Sequence, residues 1–201
     1  MADRIMNGWS AYRSLTEQLR GIIIPPTVNG KIIEFLRYMR KSSYYHTKEN
    51  PSIIDRVKSK WYGYRFSKIS LKLGFSIGPD VFGYGLVIPH YGTIVVNSGV
   101  RAGNYCVLHT STCIGGANKT IGDGLYLASG AKIMGDVNIG NGVSVAAGSL
   151  VNKSCGNNLL LAGMPAKPIK EKYPLWYQRD GLKYEKRVEK IEELKIKMQI
   201  R

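Results

Sequence analysis

Two histidines, His90 and His109, stand 19 residues apart near the middle of a 201-residue chain that holds three in all. An imidazole with an ordinary pKa near 6.5 takes up and returns protons at neutral pH, so each is a candidate acid or base. Cys113 follows His109 by four residues, the spacing of a possible thiolate and its base, yet nothing else around it marks a nucleophile. Cys106, Cys113 and Cys155 form an odd set without a CxxC pair, which points to reduced thiols rather than to a disulfide framework or a zinc site. His46 is remote from the other histidines, and His90 and His109 lack the close pairing of a metal motif, so no metal is expected.

The elements that position these groups are written in the glycines. Seventeen of the 23 fall between residues 76 and 166. Within that stretch Ile121-GDGLY, Leu127-ASGAK, Ile133-MGDVN, Ile139-GNGVS and Val145-AAGSL repeat every six residues, with an aliphatic first position and glycine or aspartate at the fourth. The same phase extends upstream through Ile88, Ile94, Val100, Cys106 and Thr112, and the nine-residue step from Thr112 to Ile121 leaves three extra residues in a loop near Gly115–Lys119. A period of six matches no helix, and interior glycines would each cost a helix about 1 kcal/mol. Short strands and tight turns, stacked so that first-position aliphatics form a column, account for both features: a parallel β-helix.

The flanks differ in character. Residues 1–75 carry a net charge of +9, residues 76–166 +1 and residues 167–201 +5. No nucleic-acid module accompanies the basic ends, so they fit anionic cofactors, glycans or lipid headgroups rather than DNA or RNA. Ile32-Ile33-x-Phe35-Leu36-x-x-Met39 has helical spacing after a cap region at Asn29-Gly30, and Pro51 opens a second helix through Ile53, Ile54 and Val57. Val188, Ile191, Leu194 and Met198 mark an amphipathic helix over 182–200, suited to cover the open edge of the last coil or to brace a trimer. The expected division is therefore a helical region 1–73, a β-helix 74–170 and a C-terminal extension 171–201. No apolar run reaches 18 residues, and charges interrupt the first 30, so neither a transmembrane segment nor a signal peptide is expected and the chain reads as cytoplasmic.

The hexads, with Ile88-Pro89-His90-Tyr91-Gly92-Thr93-Ile94-Val95-Val96-Asn97, Cys113-Ile114-Gly115-Gly116 and Ala162-Gly163-Met164-Pro165-Ala166-Lys167, resemble the hexapeptide-repeat acyltransferases, most nearly their serine acetyltransferase branch. The resemblance covers residues 74–170 and implies a left-handed β-helix, mainly β, with helical ends. It implies a homotrimer and acetyl-CoA as acyl donor. It makes His90 the general base for direct attack of an acceptor hydroxyl on the thioester, with His109 beside it. It lays the cofactor along Gly116, Ala128, Ser129 and Ala146, where small residues allow close approach, and brings Lys153 and Lys167, with Lys132, toward its phosphates. Ser76, Tyr91 and Asn97 become candidate substrate contacts.

The sequence departs from that branch in three places. Ser76 stands where an aspartate orients the histidine, and Pro89 stands where an acidic residue is usual. The loop that brings a further substrate-contacting histidine in serine acetyltransferases is replaced by the short Ala117-Asn118-Lys119-Thr120. An amino acid's ammonium needs a carboxylate partner and a sugar hydroxyl does not. The preferred acceptor is therefore a carbohydrate in surface polysaccharide modification, anionic or lipid-linked at the inner membrane face, with Ser76, a backbone carbonyl or Asp80 orienting His90. L-serine O-acetylation for cysteine biosynthesis is the alternative, although Gln199-Ile200-Arg201 is not the isoleucine tail by which that family docks its pathway partner. A non-catalytic scaffold is the third reading.

Overall fold

The computed structural model describes residues 28–116 and 118–199. The expectations placed on the first 27 residues, on Ala117, on the Met198 side chain and on the Ile200-Arg201 end lie outside the described residues.

Helix α1 (Val28–Thr47) turns Ile32, Phe35 and Met39 inward. It begins before Asn29-Gly30, so that pair sits inside its first turn rather than ahead of it. Helix α2 (Ile53–Leu73) opens on a capping box: the Ser52 hydroxyl accepts from the Asp55 N–H, and the Asp55 carboxylate accepts from the Ser52 N–H. It closes on Gly74 in the left-handed region. The apolar residues that bury along α2 are Phe66, Ile69 and Leu73, whereas Ile53, Ile54 and Val57 face outward. The Phe35 ring lies 5.3 Å from Phe66 and 5.0 Å from Phe75, joining both helices to the first coil. Arg40 reinforces the joint by donating to the Phe82 and Gly83 carbonyls.

The rest is a left-handed parallel β-helix of hexapeptide repeats. One face holds β1 (Phe75–Ser76), β2 (Ile94–Val96), β5 (Thr112–Ile114), β8 (Lys132–Ile133) and β11 (Leu150–Val151), hydrogen-bonded in that order. A second holds β3 (Arg101–Ala102), β6 (Thr120–Ile121) and β9 (Asn138–Ile139). The third stacks β4 (Val107–Leu108), β7 (Tyr126–Leu127), β10 (Ser144–Val145) and β12 (Leu160–Gly163), and β13 (Ala166–Lys170) folds back antiparallel on β12. All other pairings are parallel, because each coil returns to the same face one turn on.

The register corrects the upstream phase. Leu127 pairs with Leu108, Ile133 with Ile114 and Ile121 with Ala102, so the first-position column runs through Val96, Ala102, Leu108 and Ile114. Ile94, Val100, Cys106 and Thr112 belong to a second inward column, the one continued by Leu125, Ala131, Val137, Val143 and Ser149. Both positions point inward because the turn after each strand bends the chain back over the core. The insertion between Ile114 and Ile121 is therefore one residue rather than three. Each aliphatic side chain in these columns contributes roughly 1.5–3 kcal/mol of burial. Cys106 is buried among them, and desolvation pushes its thiol up to about 12.

After β13 the chain does not stop at the last coil. Helix α3 (Trp176–Arg179) and helix α4 (Leu182–Gln199) run back across the third face. Trp176 is buried and donates through Nε1 to the Tyr105 carbonyl at 2.6 Å. Glu192 accepts from the hydroxyls of Tyr84 and Tyr105 at 2.9 and 2.6 Å, while Lys195 pairs with Glu192 at 3.0 Å and meets the Tyr84 hydroxyl. Helix α4 thus covers the early coils. The edge of the last coil, which it was expected to cover, is closed by β13 instead.

Candidate active site

The turns from the third face to the first form one corner of the prism, and both repeat-region histidines lie there. His90 follows the Val87–Val107 bridge, and His109 directly follows β4. Val87 and Val95 are eight residues apart, whereas their partners Val107 and Cys113 are six apart. The first coil therefore spends two extra residues at this corner, and His90-Tyr91-Gly92 bulges outward there. Gly92 makes the bulge possible: it has φ +131°, and a Cβ on it would collide with the Thr110 hydroxyl.

The two imidazole rings have centroids 6.4 Å apart. His90 is exposed and His109 half-buried. Burial first, then the neighbouring His90, holds the His109 pKa below its ordinary 6.5, and Asp180 partly opposes them. His109 also packs on Tyr126, centroids 5.1 Å apart, and its own carbonyl accepts from the Thr112 hydroxyl at 2.8 Å.

Further along the same corner come Ala128, Ser129 and Ala146. The Ala128 and Ala146 amides are engaged by Val145 and Leu161 at 3.0 and 2.9 Å, and Ser129 is exposed. Tyr91 is exposed beside His90. Lys167 on β13 pairs with Ala162, at the end of this row. The remaining candidates do not gather there. Gly116, Asn97 and Lys153 all follow strands of the first face and line the opposite corner, so within one chain the breadth of that face separates them from the histidines. The Asn97 side chain accepts from the Gly99 N–H at 2.8 Å, a local turn bond. Ser76 and Lys132 are exposed on the first face between the two corners. Asp80 bonds the Ser43 hydroxyl on α1 and so is spent away from His90. Among the described residues, no group of three His, Cys, Asp or Glu side chains converges as metal ligands do.

The sequence reading missed the C-terminal contribution. Arg179 lies over Tyr126 and Tyr173, 5.4 and 4.5 Å from the ring centroids, and the charge of Asp180, next in the chain, partly opposes the lowering of the His109 pKa. No spacing rule could have joined residues 179 and 180 to His109. The Trp176 and Tyr173 anchors were the available signal.

Comparison with known proteins follows this geometry. Residues 118–153 match the family described as bacterial transferase hexapeptide (six repeats). The chain is similar to the serine acetyltransferase of Buchnera aphidicola from Acyrthosiphon pisum, 32% identical over 134 residues, 60% of this chain and 49% of that protein. It is similar to serine acetyltransferase 4 of Arabidopsis thaliana, 36% identical over 112 residues, 51% of this chain and 31% of that protein. The chain thus spans about half the length, or less, of these relatives. Its fold matches Neisseria gonorrhoeae serine acetyltransferase with a TM-score of 0.57 at 19% identity, covering 86% of this chain and 65% of that one. It also matches the Brucella abortus serine acetyltransferase solved with coenzyme A, with a TM-score of 0.56 at 22% identity, covering 84% and 72%. The repeats and the register make residues 75–170 a hexapeptide-repeat β-helix, and the proteins to which the chain is similar in sequence and in fold are serine acetyltransferases.

Proposed function

We propose that the chain transfers the acetyl group of acetyl-CoA to an acceptor hydroxyl, with His90 as general base. The observation that carries this reading is the pair of imidazoles 6.4 Å apart on a bulged corner, continued by the small residues Ala128 and Ala146. The exposed imidazole takes the hydroxyl proton as the oxygen attacks the thioester carbonyl, and returns it to the departing CoA thiolate. His109, kept neutral by burial, avoids adding a second positive charge beside the base. Ser129 and Lys167 lie along the same corner, where the pantetheine arm and phosphates of the donor would run. Gly116 and Lys153 are separated from that line within one chain, and a homotrimer places one chain's opposite corner against its neighbour's histidines. In this reading residues 74–170 are the transferase domain, and residues 1–73 and 171–201 are its extensions.

The relatives favour L-serine as the acceptor, since those compared are serine acetyltransferases and one is solved with coenzyme A. A sugar hydroxyl is the second reading, favoured by the neutral Ser76 and Pro89 at positions where the resemblance leads one to expect acidic residues. Release of CoA thiol from acetyl-CoA, measured side by side with L-serine and with a panel of glycans, separates the two. His90→Ala is expected to abolish release with either acceptor while leaving the fold intact. Retained turnover in that variant overturns the catalytic role.

A further inference from the structure

The Arg179 side chain belongs to no ion pair among the described residues. Its Nη1 donates to the Tyr173 hydroxyl at 2.6 Å, its Nη2 reaches the Ser144 hydroxyl at 3.4 Å, and its Nε is buried without a partner. The two aromatic faces fix the plane of the guanidinium. Five N–H donors are available and two are engaged, by neutral oxygens that leave the charge uncompensated. Tyr126, on which Arg179 lies, is the ring that packs on His109. A held, unpaired guanidinium one ring away from His109, the neighbour of the proposed base, is the arrangement that receives a carboxylate in forked geometry.

We infer that Arg179 binds a carboxylate of the acceptor. This rests on the transferase reading for the identity of the ligand, not for the existence of the anion site. Two sources share the chemistry: a free amino acid and an acidic sugar. The rings of Tyr126 and His109 lie between Arg179 and His90, so a molecule touching both must reach across two ring contacts. That span exceeds the short distance between the hydroxyl and carboxylate of serine and suits an acidic sugar unit, which would lay its apolar face on exposed Tyr91 or Tyr126.

The test compares each carboxylate acceptor with its neutral counterpart: methyl glucuronoside against methyl glucoside, and L-serine against L-serinamide. For wild type, Arg179→Gln and Arg179→Lys, kcat and KM for acetyl transfer are measured, with calorimetric binding of the same four compounds in the presence of CoA. In Arg179→Gln, KM for the carboxylate acceptor is expected to rise about 10- to 100-fold, with the KM for acetyl-CoA and the constants for neutral acceptors unchanged. Arg179→Lys restores part of the difference. Tyr173→Phe, which removes the oxygen holding Nη1 and keeps the charge, gives a smaller rise. Whichever pair shows the effect names the source. If wild type treats both members of each pair alike, or if Arg179→Gln leaves the ratio unchanged, the inference is overturned although acetyl transfer stands. Arg179-dependent binding of a carboxylate compound without CoA release from any of the four supports the anion site and counts against the transferase. Absence of both turnover and binding overturns the inference.

Discussion

Replacing Trp176 with alanine tests whether one side chain docks the C-terminal segment that carries Arg179 and Asp180. Trp176 is 2% exposed, donates to the Tyr105 carbonyl at 2.6 Å, and packs its ring against Tyr177 and Tyr184 at 5.6 and 5.4 Å between centroids. Truncating a buried tryptophan costs about 3–5 kcal/mol, the lost hydrogen bond included. At 1.36 kcal/mol per factor of ten, the docking equilibrium of residues 173–195 weakens roughly 10²- to 10⁴-fold. Hydrogen exchange reads this directly, because the amides of Tyr173, Asp180 and Tyr184 bond within the docked segment or to Asn158. Their protection is expected to fall by that factor in Trp176→Ala, while the amides of Val107 and Leu108 inside the solenoid keep theirs. Trp176→Phe retains most of the packing and loses the N–H, so its effect stays near fivefold, about 1 kcal/mol. Protection of 173–195 within about threefold of wild type in Trp176→Ala would refute the reasoning. It would assign docking to the bonds that Glu192 makes with Tyr84 and Tyr105.

Three further outcomes are expected. His109 binds its proton less readily folded than unfolded, so the stability this confers is present above about pH 6.5 and is lost as pH falls below it; NMR should show His109 titrating below 6.5, and His109→Asn should flatten the stability profile between about pH 7 and 5. Hydrogen bonds from Lys48, then from Ser52, hold the Asp55 carboxyl at about 2, so its contribution is present above about pH 4 and lost as pH falls toward 2, and Asp55→Asn should remove that acid limb from a denaturation series. Gly74 has φ +77° and would place a Cβ 3.1 Å from the Gly92 carbonyl oxygen; Gly74→Ala should cost about 1–2 kcal/mol, a Tm drop of roughly 3–8 °C by calorimetry.

The coiled architecture was legible because its physics is local. A strand of two or three residues followed by a turn leaves glycine where φ is positive and an aliphatic residue where the chain faces inward, and Ile121 to Val145 state this five times over. The phase upstream was misread for the same reason. Each hexad buries two positions, and Ile94, Val100, Cys106 and Thr112 are as apolar or as small as their neighbours Val96, Ala102, Leu108 and Ile114. Only pairing between coils separates the columns. The helical ends gave up their existence and, in α1, the inward face, but not the face of α2: that helix carries apolar residues on two sides, so spacing alone did not show that Phe66, Ile69 and Leu73 are the ones that pack inward.

The acceptor shows most plainly what a motif can and cannot carry. Aligned motifs record which residue types fill given positions along the chain, and Ser76 and Pro89 are indeed neutral. Electrostatic interaction depends on distance in space. Asp180 enters the chain only after the coils are complete, β13 has folded back and Trp176 has docked, and its charge partly opposes the lowering of the His109 pKa. Neutral residues at two aligned positions therefore do not by themselves exclude L-serine, which is the acceptor the relatives favour. What now separates the two acceptors is reach. Serine must satisfy a base and a carboxylate site within a few bonds of each other, whereas Arg179 is set apart from His90 by the rings of His109 and Tyr126. A dependence on Arg179 shown by the glucuronoside and absent from serine would mean that this solenoid keeps the donor chemistry of its relatives and takes its acceptor across a surface built by its own C-terminal segment.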